Sequence, residues 1–89
     1  MSVSVEIYYH PKFAKEYRKL PKDVRRAAEK KEILFRIDPY HPQLRTHKLQ
    51  GDLEGFWAFW IKYHYRIVFE FVDSGCVRFY SVGNHDIYD

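Results

Sequence analysis

The stretch GFWAFWIKYHYRIVFEFVDSGCVRFYSV, residues 55–82, has the highest density of aromatic and β-branched residues in the chain. It divides into three strand-like runs at 55–62, 65–72 and 76–82, with short turn segments at 62–64 and 73–75. Aromatic and β-branched residues favour strands, and short polar or glycine-containing segments between strands favour hairpin turns. The stretch therefore predicts a three-stranded antiparallel meander.

The residues before the meander predict one further strand and two helices. Apolar and polar residues alternate over 3–9, as in a half-buried strand. Proline is well placed at the start of a helix, so Pro11 is expected to open a helix over 11–19. A second amphipathic helix is predicted over 22–37 and should end before Pro39. The expected fold is α+β, a single domain over residues 1–89 with both helices packed on one face of one sheet.

Residues 39–52, PYHPQLRTHKLQGD, contain two prolines and a glycine and have no sustained period. Such a segment predicts a long connection between the helices and the meander. Long loops in compact domains are often functional, so this segment is a candidate part of a site.

Charge is distributed unevenly along the chain. The net charge is +3, yet residues 10–48 hold twelve Lys and Arg against five Asp and Glu, and residues 49–89 hold three against six. A basic half of this kind attracts phosphates and favours nucleic-acid binding. The alternative is an ordinary solvated helix surface, and charge alone does not separate the two.

The apolar runs are short and interrupted by charges, and the first residues lack the features of a secretory signal. We therefore expect a soluble cytoplasmic protein with no membrane partner. The single cysteine, Cys76, lies in an apolar run. A buried thiol is expected there, in preference to a disulfide or a nucleophile.

In the middle run of the meander, alternate residues should face opposite sides of the sheet. Tyr65, Ile67, Phe69 and Phe71 then form a core face, and His64, Arg66, Val68 and Glu70 form the other. Arg66 on a rigid strand could bind a phosphate. A cross-strand salt bridge to Glu70 or another acid is the alternative.

The five histidines are candidates for acid–base chemistry, because imidazole titrates near neutrality. His10 at a helix start and His41 in a Pro-flanked loop are explained by capping and turn roles. His47, His64 and His85 remain, although each taken alone is more often a surface residue. Their spacing matches no zinc motif, so neither a metal site nor a cofactor is expected.

Three segments together resemble toxins of the RelE superfamily, in particular its YoeB and YafQ branches. HKLQGDLEGFWAFWIKYHYRIVFEF at 47–71 and VRFYSVGNHDIYD at 77–89 resemble the C-terminal half of these toxins. YYHPKFAKEYRKLPKDV at 8–24 resembles their opening strand and helix pair. The resemblance covers nearly the whole chain and implies a RelE-like fold.

The resemblance also implies roles for individual residues. It gives Arg66 the contact with the scissile phosphate, His85 the role of general acid and His47 that of general base, a histidine as in the YafQ branch. His64 falls near an acidic position of that branch, and Trp60 replaces another catalytic histidine. Residues that would support the RNA complete the set: Arg45, Lys48, and Tyr88 near the substrate base.

The implied activity is metal-independent cleavage of messenger RNA, generally on the ribosome, by a toxin that a partner antitoxin inhibits. A ParE-like toxin that inhibits DNA gyrase is an alternative, but it would not need His47, Arg66 and His85 together. A non-catalytic RNA- or protein-binding module is a second alternative. It would be favoured if these side chains lie too far apart to contact one phosphate.

Overall fold

The computed structural model describes residues 4–84. In chain order it contains β1 (Glu6–Tyr9), α1 (Pro11–Arg18), α2 (Lys22–Ile37), β2 (His47–Lys48), β3 (Trp57–Lys62), β4 (Tyr65–Asp73) and β5 (Cys76–Asn84). The predicted order of a strand, two helices and a meander is confirmed. His85 and Tyr88 lie outside the described residues, as does the predicted start of the first strand at Val3.

Both helices have the ends that their sequence predicts. At the start of α1, the His10 Nδ1 accepts a hydrogen bond from the Lys12 backbone N–H at 3.0 Å, and Pro11 occupies the first turn. α2 ends at Asp38, whose backbone is extended, as is favoured in a residue before proline. The helix predicted over 22–37 is thus confirmed at both ends.

The sheet has the order β1-β5-β4-β3-β2. β3, β4 and β5 form the predicted antiparallel meander, in which Gly75 supplies the positive φ of the second hairpin turn. β1 pairs with β5 in parallel, so the sheet is mixed. A parallel partner needs a long crossover, which the two helices and the meander provide here.

The core lies between α2 and one face of the sheet. The Phe35 side chain is fully buried, with its ring centroid 4.9 Å from those of Phe59 and Phe69 and 5.4 Å from that of Phe79. Aromatic rings at these separations pack favourably. Because apolar side chains fill this face of the sheet, polar side chains of a functional site are expected on the opposite face.

α1 packs along β5 where β1 no longer covers it. β1 pairs with β5 only as far as Phe79. Beyond that point, the Glu16 carboxylate accepts hydrogen bonds from the Ser81 hydroxyl at 2.7 Å and the Val82 N–H at 3.1 Å. The Lys12 Nζ donates to the fully buried Ser81 hydroxyl at 2.9 Å. A side chain of α1 therefore provides a hydrogen-bond partner for the part of β5 that β1 does not pair with.

The segment predicted as a long connection is more regular than expected. It contains two short 3₁₀ turns, Pro42–Leu44 and Gly51–Leu53, and the two-residue strand β2 at the edge of the sheet. The prediction missed β2 because two residues cannot show a strand period. His47 is consequently part of the sheet and does not lie in a loop.

Cys76 is buried and forms no disulfide, which confirms the expected structural thiol. Burial raises its pKa, and the nearby carboxylates of Asp73 and Glu6 raise it further. The thiol is therefore protonated at neutral pH. Among residues 4–84, no helix is long and apolar enough to cross a membrane.

Candidate active site

His47 and Arg66 lie side by side on the face of the sheet opposite the core. In the sheet register, His47 is opposite Ala58, and Arg66 is opposite Trp60. Residues directly opposite one another share a face, and this face alternates with the one that carries Phe59 and Ile67. The prediction that Arg66 lies on the face opposite the core agrees with this register, which places His47 on the same face.

The tautomer of His47 follows from its contacts. Its Nδ1 lies 2.9 Å from the carbonyl oxygen of Arg45. A carbonyl oxygen only accepts, so Nδ1 carries the proton and donates, which leaves Nε2 as the lone-pair nitrogen of the neutral ring. Nε2 lies 3.2 Å from Nη1 of Arg66, an N–H donor. The Arg45 carbonyl therefore orients a basic nitrogen directly at the Arg66 guanidinium.

A cleft of about 440 Å³ opens beside this pair. Its described lining is basic and aromatic: Arg45, His47, Trp60, Tyr63, His64 and Arg66. No Asp or Glu is among these described lining residues. A cleft that combines cations, imidazoles and aromatic rings suits an anion that carries flat rings, such as a strand of nucleic acid.

The backbone is strained at two places beside the cleft. Arg45 has φ 52° and Tyr63 has φ 55°, and within residues 4–84 these are the two non-glycine residues with positive φ. Such conformations cost about 1–3 kcal/mol and cluster at functional sites. At Arg45, the residue in this conformation is also the one whose carbonyl oxygen contacts His47. At Tyr63, the carbonyl accepts a hydrogen bond from the Trp60 indole N–H at 2.8 Å.

The other predicted site residues fall into three groups. Arg45 and His64 line the cleft with His47 and Arg66. Lys48 does not, because it follows His47 in β2 and lies opposite Trp57, with its Nζ 5.5 Å from the centroid of that ring. Lys48, which is predicted to contact RNA, therefore lies apart from the predicted site residues that line the cleft. His85 and Tyr88 belong to the part of the chain that the structure does not describe.

Lys48 instead borders a larger hollow of about 670 Å³ around the 3₁₀ turn Gly51–Leu53. That hollow contains the carboxylate-bearing Glu54, and its described lining includes no histidine or arginine. Its size therefore does not make it the better candidate. The smaller cleft holds the imidazoles of His47 and His64 and the guanidinium of Arg66.

Glu70, the acid named as an alternative partner of Arg66, pairs with a different arginine. The Glu70 carboxylate lies 3.1 Å from the guanidinium of Arg78, the residue directly opposite on β5. The other two histidines have the local roles expected of them. His10 caps α1, and His41 Nδ1 accepts from the Gln43 backbone N–H at 3.1 Å.

Sequence reasoning missed Tyr63 and Lys31 as neighbours of the site. Tyr63 was assigned only to a turn, and its positive φ gave no signal because glycine, asparagine and aspartate are the residues typical of that position. Lys31 looked like one of many basic residues on α2. Its closeness to Trp60, at 4.9 Å from Nζ to ring centroid, is a tertiary contact between a helix and a strand.

Within residues 4–84 no group of three or more His, Cys, Asp or Glu is arranged to hold a metal ion.

No protein-family model matches the sequence, and no curated protein matches it significantly. Solved structures do resemble it. The toxin–antitoxin complex RelBE2 from Mycobacterium tuberculosis contains a chain with a TM-score of 0.75 at 17% identity, over 92% of this chain and 99% of that one. The YoeB/ParE toxin from Agrobacterium tumefaciens has a TM-score of 0.74 at 13% identity, over 90% and 98%.

YafQ from E. coli also matches, with a TM-score of 0.67 at 16% identity, over 93% of this chain and 96% of that one. These structures share the strand, the helix pair and the sheet across nearly their whole length. At such low identities the likeness concerns the course of the backbone and not the individual side chains. This chain has the RelE-like fold that RelE, YoeB, YafQ and ParE toxins share.

Proposed function

We propose that this chain is the toxin of a type II toxin–antitoxin pair and cleaves messenger RNA as a metal-independent endoribonuclease. The observation that carries the proposal is the contact between the His47 Nε2 and the Arg66 guanidinium inside a basic, aromatic cleft. A lone-pair nitrogen beside a phosphate-binding cation is what attack by a ribose 2′-hydroxyl on its own phosphate requires.

In the proposed reaction, His47 Nε2 takes the proton of the 2′-hydroxyl, and the 2′-oxygen forms a bond to the adjacent phosphorus. The bond from phosphorus to the 5′-oxygen breaks, and His85 as general acid protonates that leaving oxygen. The products are a 2′,3′-cyclic phosphate and a 5′-hydroxyl. Arg66 stabilises the charge that develops on the phosphorane oxygens.

Because Arg66 is hydrogen-bonded to His47, the substrate itself is needed to free the proposed base. In the absence of RNA, the Arg66 N–H occupies the lone pair that the base must use. A phosphate oxygen is a stronger acceptor for a guanidinium than a neutral imidazole is, because the hydrogen bond is then charge-assisted on both sides. Binding of the scissile phosphate therefore withdraws Arg66 and frees Nε2 for the 2′-hydroxyl.

Arg45 and His64 are proposed to hold neighbouring phosphates, since both line the same cleft. The proposed partners are an antitoxin, messenger RNA and the ribosome, in the cytoplasm. The antitoxin is supported by two of the solved structures of similar fold. They are the toxin–antitoxin complex RelBE2 from M. tuberculosis and the RelE–RelB complex from Pyrococcus horikoshii.

The test is to incubate the purified protein with translating ribosomes and to map the ends of the messenger. We expect cuts inside the reading frame that leave cyclic phosphate and 5′-hydroxyl ends. Expression of the chain alone should arrest growth, and co-expression of a small acidic antitoxin should relieve the arrest. Growth arrest with intact messenger and gyrase-linked DNA breaks would instead indicate a ParE-like toxin.

A further inference from the structure

The Trp60 indole holds two cations that come from distant parts of the chain. The Nζ of Lys31, on α2, lies 4.9 Å from the ring centroid. The Cζ of Arg45, next to β2, lies 5.1 Å from it. Cation–π contacts of this kind restrict long side chains that would otherwise sample many rotamers. Lys31 is half-buried, whereas the neighbouring Lys30 is exposed.

These cations border a second hollow, of about 370 Å³, beside the cleft of His47 and Arg66. Its described lining consists of Lys31, Pro42, Gln43, Arg45 and Trp60. Arg45 and Trp60 line both hollows, so the two lie next to each other. The described lining of the second hollow, like that of the cleft, contains no Asp or Glu. Two ordered cations next to an amide side chain and without a carboxylate favour an anion.

We propose that Lys31, Gln43 and Arg45 form a second phosphate subsite, which binds the backbone phosphodiester next to the scissile one in the RNA strand. The subsite rests on the proposed function, because it assumes that the adjacent cleft holds the scissile phosphate. Arg45 offers a planar fork of donors, Lys31 a point charge, and Gln43 an amide donor. Trp60 is a positioning residue that fixes the two cations against its ring.

A strand of RNA is the occupant because the two hollows are adjacent and share Arg45 and Trp60. A phosphate already held at Arg66 brings its neighbour along the strand to Lys31 at high effective concentration, an advantage that a separate anion lacks. The cations are also arranged in advance by Trp60. Less conformational entropy is therefore lost when the second phosphate binds.

The experiment measures binding of a fluorescently labelled single-stranded RNA with 2′-O-methyl groups throughout, which cannot be cleaved by its own 2′-hydroxyl. Anisotropy titrations over a range of salt concentrations compare the wild-type protein with Lys31→Gln and with Lys30→Gln. The two variants lose the same charge from adjacent positions of α2, so they differ only in the place of that charge. Lys31→Arg tests whether any cation in this place suffices.

Lys31→Gln should bind about fivefold more weakly at low salt. The slope of log affinity against log salt should decrease by about 0.7, the amount expected for one phosphate contact on a single strand. Lys30→Gln and Lys31→Arg should keep a slope close to that of the wild type. Equal slopes and affinities for Lys31→Gln and Lys30→Gln would overturn the subsite.

Failure of the subsite is distinguishable from failure of the proposed function. If the wild type cleaves messenger on ribosomes while Lys31→Gln binds the modified RNA as the wild type does, only the subsite is wrong. The opposite outcome is that the wild type cleaves no messenger while Lys31→Gln, and not Lys30→Gln, decreases the slope of log affinity against log salt. In that case Lys31 does bind a phosphate of the RNA, and the proposed nuclease activity is wrong.

Discussion

The imidazole of His47 and the guanidinium of Arg66 are joined by a hydrogen bond of 3.2 Å, although the two residues are 19 positions apart in the chain. The Arg45 carbonyl fixes the ring from its other side at 2.9 Å. The proposed base is therefore oriented before any substrate arrives. Preorganisation of this kind is what lets a positioned side chain contribute to catalysis.

Replacing His47→Gln should slow messenger cleavage by about 10²–10⁴-fold, because glutamine cannot take the proton of the 2′-hydroxyl. The melting temperature should stay close to that of the wild type, since His47 is exposed. His10→Asn is the control, because asparagine can cap α1 as His10 does. Single-turnover cleavage on ribosomes measures both variants. A His47→Gln protein that cuts at the wild-type rate would exclude His47 as the base.

Replacing Arg66→Gln should lower the cleavage rate by about 10²–10³-fold, the loss typical when one donor to a developing negative charge is removed. The matched control is Arg78→Gln on the neighbouring strand. It removes only a surface ion pair with Glu70, and such pairs contribute about 0–1 kcal/mol to stability. Rates measured at saturating ribosomes compare the two. Similar rates for both variants would contradict the role of Arg66.

Replacing His85→Gln should abolish cleavage and toxicity, because the 5′-oxygen would leave without a proton. Antitoxin binding and the melting temperature should change little. The readouts are growth after induction, end mapping of messenger, and a pull-down with the antitoxin. If the variant still cuts at the wild-type rate, the acid is another residue, with His64 the next candidate in the cleft.

Replacing Phe35→Ala should lower the free energy of unfolding by about 3–5 kcal/mol, because a fully buried ring is deleted from a cluster of aromatic rings. Ile33→Ala, two residues earlier on the same helix, removes a side chain that is 63% exposed. It should change stability by less than about 0.5 kcal/mol. Urea unfolding of both variants gives the comparison, and equal losses would mean that α2 does not pack as described.

Stability should fall in acid because of Glu16. Burial raises the pKa of this carboxyl, but hydrogen bonds from Ser81, Val82 and Lys12 outweigh burial and hold the pKa below its ordinary value of 4.5. A lowered folded pKa means that the stabilisation is complete above the unfolded pKa and disappears as the pH falls through the folded one. Melting curves from neutral pH downward should show the wild type losing its advantage over Glu16→Gln in that range.

The exposed Glu54→Gln provides the control for this series, because Glu54 directly follows the 3₁₀ turn Gly51–Leu53 and has no contact with α1 among the described interactions. At neutral pH, Glu16→Gln should cost about 1 kcal/mol, the scale of one weakened hydrogen bond. A gap between wild type and Glu16→Gln that stays constant down to strongly acidic pH would show that the carboxylate charge is not what stabilises the contact.

Sequence was sufficient where the signals were local. α2 could be bounded at both ends because Pro21 and Pro39 flank a continuous apolar period. The faces of β4 followed from alternation. Ile67 and Phe69 belong to the core cluster, whereas Val68, which is also buried, does not. β2 could not be found, because two polar residues form a strand here only by pairing with Trp57 and Ala58.

The site itself was predictable in part. The resemblance pointed to His47 and Arg66, but their contact depends on the pairing of β2 with β3 and of β3 with β4, which is a long-range property. The same pairing separates Lys48 from His47, since successive residues of a strand face opposite sides. The contact of Lys31 with Trp60 likewise needs the packing of α2 against β3 and has no local signature.

The contact between Glu16 and the Val82 N–H is also expected to limit self-association of this chain. An uncovered strand edge is a template on which a second chain can add its own strand. Here the Glu16 carboxylate and the hydrogen bond from Lys12 to Ser81 both help to keep α1 beside the part of β5 that extends beyond Phe79. Acid that protonates this carboxyl removes one of the contacts that cover the edge while the aromatic core is still intact, so self-association is expected to increase before the core melts.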